Sequence, residues 1–211
     1  MHKKIDSKLI DGFLTTIRSI ENNDFAVQAA ECCRFTHSTL GIVTEVAELK
    51  YLLDNPQIFD PEEYELKVHA EIGDICFYLL QGVDNFNWTY EQVMETEAKI
   101  KMNLHSDMDP MDNLVYLAGE ITDVLKKHFS YHVKVDLDRV LSWYQDMWNN
   151  LHLLTSELNT TVDKCIKVVT AKLEKRYPAG KFRYKDRINR NRDVEQKAMK
   201  EAESNDDQMK F

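Results

Sequence analysis

Residues 44–53 read TEVAELKYLL, and residues 69–80 read HAEIGDICFYLL. The first stretch holds Glu45 and Glu48, the second Glu71 and Asp74, each pair spaced i, i+3. On a helix that spacing sets both carboxylates on one face. The apolar residues keep a helical period of their own: Ile42, Val46, Leu49 and Leu53 in one segment, Ile72, Ile75, Leu79, Val83 and Phe86 in the other. The acids therefore lie beside packing stripes.

Working outward, helix breakers are sparse. The chain has 211 residues with only 6 Gly and 4 Pro, so long elements and few turns are expected. The fold class this predicts is all-α, a helical bundle. Helices are predicted over about 6–22, with Leu9, Ile10, Phe13, Leu14, Ile17 and Ile20 at helical spacing, and over about 26–54, where Asn55-Pro56 stops the second. A third starts at Asp60 as N-cap, with Pro61 in the first turn and Glu63 closing a capping box, and runs to about Phe86. Thr89 caps a fourth, to about Asn103, and HSDMDP (105–110) reads as a linker.

Beyond the linker a similar order recurs. LAGEITDVLKKHF carries Glu120 and Asp123 at i, i+3. A long helix follows over about 137–158, and Thr160 with Asp163 opens another to about Tyr177. A basic loop, KRYPAGKFRYKDRINRNR, comes next. With the halves side by side, Glu45 meets Glu120, Glu48 meets Asp123, Asp74 falls near Asp146 and Lys99 near Lys172. Trp143 stands where Glu71 would be. The reading is a diverged tandem repeat: 1–104 with the acidic motif intact, 110–190 as a degenerate copy packed on the first, and 191–211 as a polar tail.

Composition bounds the function. With 43% hydrophobic and 30% charged residues, the chain reads as globular and soluble. No apolar run approaches the roughly 18 residues of a membrane span, and MHKKIDSKLIDGF lacks the apolar core of a signal peptide. A cytoplasmic location with no membrane partner is therefore expected. Cys32, Cys33, Cys76 and Cys165 show no metal spacing and are expected as reduced thiols. The net charge of -9 argues against non-specific binding to nucleic acid, but not against a small anionic substrate held through metal ions.

Four carboxylates facing one another across two helices repel, so either some hold protons or a cation sits among them. Hard oxygen donors of this kind suit Mg²⁺, with Mn²⁺ as a substitute. Such ions finish their shell with phosphate oxygens, and the chemistry that follows is attack of activated water on a phosphoanhydride. The other reading of the same acids is a solvated helix surface. A di-iron carboxylate bundle would need Glu-x-x-His, and neither His37 nor His69 stands three residues after a Glu.

HSTLGIVTEVAELKYLL, HAEIGDICFYLL and EAKIKMN, taken in order, resemble the all-α nucleoside triphosphate pyrophosphohydrolases, the MazG-like superfamily that includes dimeric dUTPases and dCTP pyrophosphatases. LKKHFSYHVKVDLD, AKLEKRYPAGKF and INRNRDVEQKA are similar to the back end of single-repeat members, so the resemblance spans about residues 35–198. It implies a helical bundle of two MazG-like repeats, Mg²⁺ dependence, and hydrolysis of a (d)NTP to the monophosphate and pyrophosphate. The metal ligands it implies are Glu45, Glu48, Glu71 and Asp74, with Glu48 also the catalytic residue that orients water. The nucleotide contacts it implies are His37, Tyr78, Lys99, Asn103, Lys175 and Arg176. Each has a plainer reading: core packing for Tyr78, a structural role for His37, exposed surface for Lys99 and Asn103, and a solvated loop for the basic pair.

The chain departs from the family pattern at Thr44, where many members carry a further Glu. The basic RYP element follows only the second copy. A tandem chain could build the family's pseudo-dimer within itself, with Trp143, Tyr144 and Trp148 lining the pocket wall or filling the core. A homodimer of such chains is expected. The alternatives are a dUTPase-like enzyme and an inactive metal-binding or regulatory module.

Overall fold

The computed structural model describes residues 6–21, 30–94, 108–180, 186 and 188–208. Among them every regular element is a helix: α1 (Ser7–Glu21), α2 (Ala30–Asp54), α3 (Pro61–Asn85), α4 (Tyr90–Met94), α5 (Pro110–Tyr131), α6 (Leu137–Glu157), α7 (Val162–Arg176) and α8 (Arg192–Gln208). The protein is an all-α bundle. No described helix is long and apolar enough to cross a membrane.

The helix starts follow the local chemistry. Asp60 accepts from Glu62 N at 3.0 Å, Asp109 from Met111 N at 2.8 Å, and each precedes a proline in the first helical turn. Pro110 thus opens α5 rather than ending a linker. The return bond predicted from Glu63 does not form; Glu63 pairs with Lys67 one turn on, at 3.4 Å. The reciprocal capping box is at Thr89 instead, where Thr89 N donates to Gln92 Oε1 at 2.7 Å and Gln92 N to Thr89 Oγ1 at 3.3 Å. The α7 cap falls on Thr161, one residue later than predicted.

α2 and α3 lie antiparallel. Phe35 packs on Phe86, His37 meets Gln81, Gly41 meets Tyr78 and Glu45 meets Glu71, one helix counting up as the other counts down. Ile42, Val46, Leu49, Ile72, Ile75, Leu79 and Val83 are all buried between them and their neighbours. α1 buries Ile10, Phe13 and Ile17 and packs on α3 and α7; Phe13 meets Phe77 edge-on, and Arg18 Nη2 reaches Asp84 Oδ1 at 2.7 Å.

The later helices do not simply pack within their own half. α5 pairs with α6 and lies on α2. α7 lies along α3 and only grazes α6, while α4 lies on α6 and only grazes α3. This packing pattern maps onto itself when α2, α3 and α4 are exchanged for α5, α6 and α7. Gly73 makes the α3–α7 approach possible: a Cβ there would stand 2.5 Å from the Cys165 carbonyl oxygen. Trp143, Tyr144 and Trp148 fill the core, and Cys76 and Cys165 are buried free thiols.

The segment read from sequence as a polar tail is α8, docked along α7. Asn191 Oδ1 accepts from Val194 N at 3.3 Å at its start. Met199 joins a small apolar group with Leu66, Ala70 and Val168. Charged contacts do the rest of the docking.

Candidate metal centre

Glu45 on α2 and Glu71 and Asp74 on α3 converge, each offering a carboxylate oxygen within 4.8 Å of the others. All three are half-buried, at the edge of the packed stripe. Burial and then the Asp74 charge push Glu45 up to about 6, against the hydrogen bond it receives from Glu71. The same two causes push Glu71 up to about 9. At neutral pH Glu71 therefore holds a proton and donates it to Glu45. Crowded acids of this kind signal a deficit of positive charge.

Lys172 supplies part of that charge. Its ammonium donates to Asp74 Oδ2 in a short ion pair, with 9% of its side chain exposed. In the sequence Lys172 stands only as the counterpart of Lys99, and no local signal places it at the acids. Its position follows from α7 packing on α3. Arg176, one turn further on α7, also feels the Asp74 charge. Of the predicted basic pair, Arg176 is half-buried and Lys175 is exposed.

The remaining predicted residues fall as follows. Glu48 is exposed one turn past Glu45 and outside the three-acid group, yet near enough to raise Glu45 further. Tyr78 lies one turn beyond Asp74, filling the space that Gly41 leaves. His37 packs edge-on against Tyr78 at 5.5 Å and accepts from Gln81 Nε2 at 3.0 Å. Lys99 and Asn103 lie outside the described residues.

The second half presents no such convergence among the described residues. Hydrogen bonds from Lys126 and Lys127 hold Asp123 down at about 2. Glu120 pairs with Arg139 at 3.2 Å, and the Arg139 guanidinium lies 4.7 Å over the Trp143 ring. These acids are already matched by their neighbours.

A second group, Glu65, His69 and Glu203, also brings potential ligand atoms within 4.8 Å. Its charge balance differs. Lys164 Nζ stands 3.8 Å from both carboxylates with 7% of its side chain exposed, and His69 Nδ1 donates to Glu203 at 2.5 Å. This cluster has its own cation and ties α8 to α3 and α7. The Glu45 centre has three carboxylates, a fourth close by, and one paired lysine.

The three-acid donor set therefore fits a hard divalent cation: oxygen ligands only, partial exposure for water and substrate, and a proton on Glu71 that an ion would displace. No family model, no curated protein and no solved structure matches the chain.

Proposed function

We propose that the chain is a Mg²⁺-dependent nucleotide pyrophosphohydrolase, cleaving a (d)NTP to the monophosphate and pyrophosphate. The observation that carries the reading is the charge-deficient meeting of Glu45, Glu71 and Asp74 beside Lys172 and Arg176. Carboxylates to hold a divalent cation and side-chain cations to receive phosphate oxygens stand together. The resemblance of the motif flanks supports the same chemistry.

Glu45, Glu71 and Asp74 would hold the ion. Mg²⁺ bound there supplies neutralisation of phosphate charge and activation of water. Lys172 and Arg176, four residues apart on α7, face the phosphate chain and balance its charge. Glu48, exposed on the next turn of α2, orients the attacking water. Tyr78 and His37 lie further along the α2–α3 groove, where the sugar and base would extend.

The test is pyrophosphate release from the eight common NTPs and dNTPs, with Mg²⁺, with Mn²⁺ and with chelator. Turnover should require the cation. Glu45→Gln and Glu48→Gln should each lose at least about 100-fold, the scale of removing a charge-stabilising group from a reacting centre. Cation-independent turnover, or none on any of the eight, would overturn the proposal.

A further inference from the structure

Glu195 stands in the first turn of α8 and is only 3% exposed. A carboxylate that deeply placed needs partners, and it has two. Arg176 Nε donates to Oε1 at 3.2 Å and Arg176 Nη2 to Oε2 at 2.9 Å. Arg190 Nη2 stands 3.4 Å from Oε2. The parallel pair of bonds to Arg176 fixes both the position and the plane of its guanidinium. It uses one edge of the fork, and among the described residues Nη1 has no hydrogen-bond partner.

Arg176 comes one turn after Lys172, which pairs with Asp74, and α7 carries both along α3. An arginine on a solvated surface samples many rotamers; one gripped by a buried carboxylate does not. Glu195 touches none of the three acids, so its effect on the centre runs through Arg176.

We propose that Glu195 is a positioning residue: from α8 it holds Arg176 so that the open edge of the guanidinium meets the phosphate chain of a nucleotide at Glu45, Glu71 and Asp74. This rests on the nucleotide reading of that centre. It gives the C-terminal helix a part in substrate binding.

A structural tie for α8 is the competing account, and the molecule contains its own control. Glu203 anchors α8 further along, on His69 and Lys164, without touching Arg176. The experiment uses the full chain as wild type, Glu195→Gln and Glu203→Gln, with a melting curve for each. It measures KM and kcat on the preferred nucleotide, and calorimetric binding of Mn²⁺ alone and of inorganic pyrophosphate with Mn²⁺. Glu195→Gln should raise KM and the pyrophosphate Kd about tenfold or more while Mn²⁺ affinity stays within about twofold; Glu203→Gln should leave KM within about twofold.

Equal rises in KM for the two variants would overturn the proposal, since undocking of α8 would then suffice. An unchanged or lowered KM in Glu195→Gln would overturn it as well. If Glu195→Gln does not fold, Glu195→Asp makes the same test: it keeps the charge but shortens the arm, so KM should rise, and an unchanged KM overturns the proposal. Wild-type turnover with a KM indifferent to Glu195 defeats the positioning role alone. Absent turnover, with pyrophosphate binding that depends on Glu195, defeats the hydrolase reading and leaves the positioning role standing.

Discussion

With three carboxylates crowded within 4.8 Å, Glu71 holds its proton to about pH 9 and Glu45 to about 6, both from a reference of 4.5. Both folded values lie above the unfolded one, so the folded state keeps protons that the unfolded chain releases. The stabilising contribution of these two groups is fully present below about pH 4.5. It is lost as pH rises, through about 6 for Glu45 and about 9 for Glu71. Denaturant midpoints measured in chelator should therefore fall between pH 5 and 9, and Mn²⁺ should flatten the decline. Glu71→Gln copies the protonated acid. It should be more stable than wild type in chelator at pH 7.5, by roughly 1–3 kcal/mol, and bind Mn²⁺ far more weakly. The acids themselves were legible in sequence, because residue type states the donor chemistry and i, i+3 spacing states the face. Lys172 was not, because a lysine's partner across a bundle is set by which helices pack together, and no local signal carries that.

At the scale of elements, α7 is the piece that completes the centre, and Gly73 governs its approach to α3. Gly73→Ala places a methyl 2.5 Å from the Cys165 carbonyl oxygen and against Val169. The helices must separate, so stability should drop by about 1–3 kcal/mol, the cost of overpacking, and KM should rise because Lys172 moves with α7. α5 carries acids at the same spacing as α2, but lysines and an arginine already match them. Glu120→Ala and Asp123→Ala should cost activity less than about threefold, against about 100-fold or more for Glu45→Ala or Asp74→Ala. Equal losses in kcat/KM from the two sets would contradict a matched second half. Helix limits are readable from caps and apolar period, whereas α8, with few apolar residues, reads as a polar tail. Its docking combines Ala198 and Met199 with the Glu195 and Glu203 ion pairs, and charge pairs leave no hydrophobic period to detect.

In the whole molecule, each half lends a helix to the other: α7 covers α3, and α4 covers α6. Neither half then owns a complete core. Residues 1–104 and 108–211 expressed apart should show no cooperative thermal transition by circular dichroism, and mixing them should restore both the transition and Mn²⁺ binding. The exchange also explains why a helix-by-helix reading gave the all-α class and the element order but not the pairing. Periodicity reports which face of a helix is apolar, never whose face will cover it.

The Lys172–Asp74 pair spans 98 residues of chain, and the His69–Glu203 pair spans 134. Contacts of such separation are made only after long loops have closed, which slows folding. On the ribosome, the first acids emerge well before the helix that compensates them. The centre therefore assembles late in synthesis, once α7 has cleared the exit tunnel. A chain stalled before residue 172 would carry the acids without the lysine that steadies them, an early exit that quality-control proteases would find unfolded.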